Sequence, residues 1–382
     1  MQLVRGNKEQ DVGQPVERVG NMEIVKVKNR KDQKKFINFR KEIYNSHPEY
    51  VDNNLFMIKE LFAKRTCFVN NKEINVIYIE EDDKILCQGM VVYTKELPEY
   101  IQLCFFESRE NQEKAVNLLV DEAIRIGREY HCKKLVIGLN GHVNYGLGLL
   151  CSHHNEKNSF SSSVNPRYYN DYFEKMNCSN IYLNTYKAHS FDEKMKSYER
   201  IINKINKNYT FKYFNKKEFE YYSKIYTDLN NECFVGHRYY YKREYNEDKE
   251  MLKELFLFMK EDSLIFAFHN DKPIGFVLWY PDFNELIKNG GFFGVKEFFK
   301  NIFLNKKIET AKVMEYGAIE EYRRIGLPLA LLYQVYLATK KYNIKKAETS
   351  WILDENKDSN SVCQAICDEE YKRYVVYEKD IN

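Results

Sequence analysis

The order of patterned segments runs twice along the chain, and that repetition constrains the fold more than any single motif. From Met22, MEIVKV alternates as a short strand, DQKKFINFRKEIYN has helical spacing, and INVIYIEEDDKILCQGMVVYT reads as strand, acidic turn, strand. IQLCFFE is a further strand, NQEKAVNLLVDEAIRIGREYH a long amphipathic helix, and KKLVIGLN a strand ending in a glycine-rich loop. NDYFEKMNC and SNIYLNTYKAHS then give a helix and a strand. After a charged, helix-like connector over 191–208, the segments TFKYF, KEFEYYSKIYTDLNNE, SLIFAFHNDKPIGFVLWY and KVMEYGAI bring back much the same order. The likeness is one of element order, not of residue identity. It predicts an α/β chain of two like-folded lobes, over 22–190 and 209–382, behind a flexible leader over 1–21 that lacks apolar periodicity.

Length agrees with this, since 382 residues exceed the ~100 to 200 of one typical domain. With 44% hydrophobic and 30% charged residues the chain can bury real cores. No charge-free apolar run reaches the ~18 residues of a membrane span, so a soluble protein is expected. The formal charge of +3, from 59 basic and 56 acidic residues, gives no global field for nucleic acid, no DNA partner is expected, and any anion site must be local. Nine cysteines without a CxxC pair or a secretory leader favour free thiols in a reducing cytoplasm. Cys151 with His153 and His154 lacks the second ligand cluster that zinc needs, so the stretch reads as a loop and no metal is expected.

A local anion site has one candidate. Strand KVMEYGAI runs through EEYRRIG into LPLALLYQVYLATKKYN, whose Leu329, Leu332, Val335, Tyr336 and Ala338 fall at helical spacing. A helix start leaves backbone N–H groups without intrahelical partners and carries partial positive charge, so such a turn can hold a phosphate. Gly326 lets the backbone come close, and Arg323 and Arg324 can add forked, charge-assisted bonds to a diphosphate. A solvated arginine pair beside an ordinary glycine turn explains the same residues equally well.

These residues resemble the GNAT superfamily of acyl-CoA N-acyltransferases, whose phosphate loop reads Arg or Gln, two residues, Gly, one residue, then Gly or Ala. Arg323-Arg324-Ile325-Gly326-Leu327-Pro328 fits all but the last position. Proline has no N–H to give a phosphate, which leaves the amides of Gly326, Leu327 and Leu329. IGFVLWYPDFNELIK, KIETAKVMEYGAIEEYRRIG, KKAETSWILDENKDSNSV and KRYVVYEK look like the C-terminal lobe of a bacterial two-lobed GNAT-like family. DQKKFINFRKEIYNSHPEYVDN, KKLVIGLNGHVNYGLGLL and NPRYYNDYFEKMNC resemble its first lobe, so the resemblance covers nearly everything from residue 22 onward.

The resemblance implies two lobes, each a mixed, mostly antiparallel sheet flanked by helices, with acetyl-CoA or a longer acyl-CoA as co-substrate and a small-molecule amine as acceptor. It implies a splay between the strand before the phosphate loop and the next strand, with Tyr316, Gly317, Ala318 and Ile319 facing the donor. Asn356 falls where many members keep an Asn near the pantetheine arm, and it also suits a helix cap. Cys363 takes the place of the Tyr that protonates the leaving thiolate; a buried core thiol is the alternative. Glu315 is the candidate base, with a plain salt-bridged role as its rival, and Tyr377 is a second acid candidate. The first-half turn CFFESRENQEKAV has no glycine, so that lobe is expected not to bind coenzyme A.

His142, Asn144, Tyr145, Arg167, Tyr168 and Tyr169 are polar and aromatic groups suited to an acceptor pocket between the lobes, or to stabilising turns. The stretch PDFNELIKNGGFFGVKEFFKNIFLNKK inserts an aromatic, basic segment that covers a long acyl chain, docks an acyl carrier protein or extends the core. A Fem-like transferase using aminoacyl-tRNA and a non-catalytic acyl-CoA-binding protein are the rival readings.

Overall fold

A computed structural model of the protein describes residues 18–255, 260–288 and 307–381. Residues 1–17 of the expected leader and 289–306 of the expected aromatic insertion lie outside the described residues. The first half runs β1 (Arg18–Val19), β2 (Met22–Lys26), α1 (Arg30–Asn45), α2 (Leu55–Phe62), β3 (Lys72–Glu81), β4 (Lys84–Thr94), β5 (Tyr100–Ser108), α3 (Glu113–Glu129), β6 (Lys134–Ile137), β7 (Leu149–Leu150), α4 (Tyr168–Glu174) and β8 (Ser179–Ala188). The second runs α5 (Phe191–Asn206), β9 (Thr210–Tyr213), α6 (Phe219–Cys233), α7 (Tyr245–Leu255), β10 (Leu264–His269), β11 (Lys272–Pro281), β12 (Thr310–Ala318), α8 (Leu327–Lys341), β13 (Lys346–Thr349), β14 (Ile352–Leu353), α9 (Lys357–Ile366) and β15 (Glu369–Asp380).

All these strands join one sheet. On one side β2, β3, β4 and β5 pair antiparallel and β5 pairs parallel with β6. On the other β9, β10, β11 and β12 repeat the pattern, with β12 parallel to β13. The middle of the sheet is exchanged: β15 of the second half lies against β6, and β8 of the first half lies between β15 and β13.

The helices cover this sheet through the periodic apolar faces that the sequence carries. Ala115, Val116, Leu119, Val120, Ala123 and Ile126 of α3 are buried, and the helix packs on β3 to β6. Leu327, Leu331 and Val335 of α8 are buried likewise over β10, β11 and β12. Helix α5, the expected connector, buries Phe191, Met195 and Ile202 and packs on α8, so it belongs to the second core.

Two details place the site. Pairing of β12 with β13 stops at Val313 and Thr349, where the Ser350 N–H donates to the Val313 carbonyl at 2.7 Å. Beyond it, among the described strands, residues 314–318 pair only with β11, across a bulge opposite Leu278 and Trp279. The strands therefore part, and β12 has a free edge. In the first half β5 leaves β6 in the same way, after Leu103 and Ile137.

Candidate active site

The parting of β12 from β13 opens into a cavity of about 560 Å³ that both halves of the chain line. Glu315 stands on its wall, half-buried, with its carboxylate turned toward α6. Tyr226 and Asn230, one turn apart on α6, point the same way. The Tyr226 hydroxyl donates to one carboxylate oxygen, and Asn230 Nδ2 donates to the other at 3.1 Å. The Asn230 amide oxygen accepts from the Tyr240 hydroxyl at 3.2 Å, which fixes the amide's orientation. Desolvation pushes the Glu315 carboxyl above its ordinary range, and Asp248 adds to this; the two hydrogen bonds and Arg243 oppose it. The result is a positioned carboxylate of increased basicity that reaches the cavity.

Tyr316 lies on the other face of β12, toward α9, and also lines the cavity, which reaches both faces around the free edge. Its hydroxyl donates to the Ser359 carbonyl at 3.3 Å and lies 3.7 Å from Cys363 Sγ. Cys363 is fully buried behind it, its thiol pushed up to about 12 by desolvation, and it does not line the cavity. Tyr377 is equally buried, in β15, where its hydroxyl donates to Asn170 at 3.0 Å away from the cavity. Gly317, Ala318 and Ile319 are buried beneath the wall; a Cβ on Gly317 would lie 2.8 Å from Cys233 Cβ, so that position lets α6 approach. Asn356 lines the cavity and caps α9, accepting from the Ser359 N–H at 3.1 Å.

The glycine turn follows β12. Gly326, at φ +88°, is the N-cap of α8, and a Cβ there would meet Ile205 Cδ1 at 2.5 Å. The first intrahelical bond runs from Ala330 N–H to the Gly326 carbonyl, so helix geometry leaves the Leu327 and Leu329 N–H groups without an intrahelical acceptor. Pro328 falls in that same first turn, where a missing N–H costs the helix no bond. The arginines divide. Arg323 donates to the Ala318 carbonyl at 3.1 Å and the Cys233 carbonyl at 2.9 Å, tying the end of β12 to the end of α6. Arg324 is 87% exposed, with Nε 3.6 Å from Asp358, and Ile325 is exposed beside it.

Of the first-half candidates, Asn144 and Tyr145 line the cavity. His142 does not: it is buried, with Nε2 3.1 Å from the Tyr241 carbonyl and Nδ1 accepting from the Asn144 N–H, and desolvation holds its pKa well below the usual value. Tyr168 and Tyr169 sit on α4 and hold the end of β5, with hydroxyls bonded to the Ser108 carbonyl and to Glu107, both at 2.8 Å, while Arg167 beside them is exposed. The first-half parting is filled. Arg40 binds Asp52 through two 2.8 Å bonds and also binds Glu107, and only about 40 Å³ stays open there.

Sequence reasoning missed Tyr226, Asn230, Tyr240 and Tyr280, and the α2 and α7 residues at the cavity mouth. The Y-x-x-x-N spacing on an amphipathic helix was the only local trace of the Glu315 partners. Among the described residues there is no group of three metal-ligating side chains and no helix long and apolar enough to cross a membrane; all nine cysteines are free.

No protein-family model matches the chain. Protein YghO of Escherichia coli (strain K12) is 27% identical over 191 residues, and the chain spans about half of that relative, 49%, using 48% of its own length. Solved structures align over nearly the whole chain. A tandem GNAT protein from the clavulanic acid biosynthesis pathway superposes with TM-score 0.53 and 11% identity, covering 94% of this chain and 99% of that one. A GCN5-related N-acetyltransferase from Sphaerobacter thermophilus gives 0.51 and 9%, covering 95% and 97%. A GCN5-related glucosamine N-acetyltransferase region of a fungal β-N-acetylglucosaminidase gives 0.56 and 12%, covering 96% of this chain and 38% of that one.

Proposed function

We propose, from the two-lobed GNAT fold that the chain has, that it is an N-acyltransferase moving an acyl group from an acyl thioester to an amine. The observation that carries this reading is the parting of β12 from β13 into a cavity with Glu315 on its wall. An acyl-CoA, acetyl or longer, fits the reading as donor. Its thioester arm would lie in the gap along the free edge of β12, and its diphosphate at the Gly326 turn, against the Leu327 and Leu329 N–H groups and Arg324.

The chemistry follows from the positions. An ammonium acceptor must lose a proton before its nitrogen can attack the thioester carbon, and Glu315 takes that proton. Free-edge N–H groups of β12 stabilise the oxyanion of the tetrahedral intermediate. The C–S bond then breaks and the thiolate takes up a proton. The Tyr316 hydroxyl, on the wall beside Cys363, supplies it. The reading places the reaction in the second half of the chain, and the free cysteines fit a reducing cytoplasm.

The test is calorimetric titration of acetyl-CoA, octanoyl-CoA and free CoA into wild type, Arg324→Ala and Gly326→Asp. Arg324 is the informative arginine because Arg323 also holds backbone carbonyls. Binding to wild type, weakened about tenfold in Arg324→Ala and lost in Gly326→Asp, is expected. If no CoA species binds wild type, the CoA donor is wrong. Thiol release on adding amines then separates a transferase from a protein that only binds.

A further inference from the structure

Resting on that acyl-transfer reading, we infer that the acceptor is an aliphatic diamine or polyamine, with one nitrogen at Glu315 and a second, cationic nitrogen at the mouth of the cavity.

The mouth is acidic. Glu60 on α2 and Glu250 and Glu254 on α7 line it, and Glu250 and Glu254 share one helical face at a spacing that costs the helix stability. Desolvation pushes the Glu254 carboxyl upward, as do the neighbouring Glu250 and Glu60 carboxylates. Glu60 binds Arg65, and Glu250 accepts from the Cys67 N–H at 2.8 Å. Among the described residues the cations of the lining are Lys253, which is exposed, and Arg238, which Glu355 engages at 3.0 Å and Glu378 at 3.5 Å. His237, also on the wall, has its pKa lowered by desolvation and by Arg323, with Glu355 opposing.

Residues of the same lining also carry buried polar atoms without partners among the described residues. Tyr280 is 1% exposed and lines the cavity, yet its hydroxyl finds no hydrogen-bond partner among the described residues. The Asn53 side-chain amide, on the α2 side, is likewise unpartnered at both its oxygen and its nitrogen. Buried polar groups left unpaired are costly, and a ligand with several N–H donors would satisfy the Tyr280 and Asn53 oxygens. Between them the wall is apolar and aromatic, with Met57, Tyr145, Phe234, Tyr240 and Met251, which suits methylene spacers and the faces that cations favour. Of the two cations of the described lining, Arg238 is already engaged by Glu355 and Glu378, which leaves only the exposed Lys253 for the carboxylate of an amino-acid acceptor.

The experiment measures binding of spermidine, 1,4-diaminobutane, n-butylamine and 4-aminobutanoate by calorimetry, with and without free CoA. Wild type is compared with Glu250→Gln/Glu254→Gln and with Tyr280→Phe, after melting curves confirm that each variant folds. The diamine and spermidine are expected to bind wild type at least tenfold more tightly than n-butylamine, and the double variant to collapse that ratio toward one. Tyr280→Phe is expected to weaken spermidine several-fold. Equal binding of n-butylamine or 4-aminobutanoate, or an unchanged ratio in the double variant, overturns the assignment. If spermidine binds as expected but no acyl-CoA does, the polyamine site stands and the transfer reading falls. If acyl-CoA binds and its thiol is released with an uncharged acceptor instead, the transfer reading stands and the polyamine assignment falls.

Discussion

As the proposed base, Glu315 faces two opposed demands, because a base must be accessible to its proton and yet sheltered enough to want it. The structure meets both by setting the carboxylate on the cavity wall and holding it with Tyr226 and Asn230. Glu315→Gln is expected to lower kcat by about 10² to 10⁴-fold while leaving the acyl-CoA dissociation constant unchanged. As a base Glu315 acts only when deprotonated, so the rate rises with pH through its pKa. Burial raises that pKa, so the acid limb of kcat against pH stands above the usual carboxylate value of about 4.3. Tyr226→Phe removes a hydrogen bond that favours the charged form, and it should move the limb further up. An unmoved limb in that variant would show that another group titrates. The residue itself was legible in the sequence, as an acid on the strand before the glycine turn. Its partners were not, since they lie 89 and 85 residues away and only the packing of α6 on β12 brings them near.

At the scale of elements the two partings of parallel strands show how one framework serves two ends. In the second half the gap stays open; in the first, Arg40 from α1, Asp52 and Glu107 from β5 close it, all of them buried. A buried ion cluster stabilises little by itself, but losing one member strands the others. Arg40→Ala is therefore expected to cost about 3 to 5 kcal/mol, read as a lower urea midpoint with an unchanged slope. A cost below about 1 kcal/mol would mean that water enters the gap and solvates the carboxylates. The sequence showed that CFFESRENQEKAV lacks a glycine turn, but not what replaces it, because Arg40 and Asp52 look like surface residues until α1 is packed. The same holds for the paired arginines of the glycine turn. Their spacing was legible, whereas the backbone carbonyls that engage Arg323 belong to two different elements.

For the molecule as a whole, the exchange of β8 and β15 makes each half incomplete. The duplicated order of elements could be read from periodicity. Strand partners could not be read, because β8 and β15 are similar strands and either would satisfy the alternating pattern of either neighbour. Fragments 18–208 and 209–381 made separately are expected to lack cooperative thermal unfolding and to aggregate through open sheet edges. Made together, they should recover one transition and elute as a single complex. Independent folding of either fragment would show that the exchange is dispensable.

The same exchange sets the timetable of synthesis. A growing chain that has released residues through 188 already holds β6 and β8, yet the strand that belongs between them is β15, and it emerges only with residues 369–380. Until then the future centre of the sheet is two bare margins, which exposes the growing chain to aggregation. Loss of residues 369–380 would thus not trim the sheet at its rim but take out its middle.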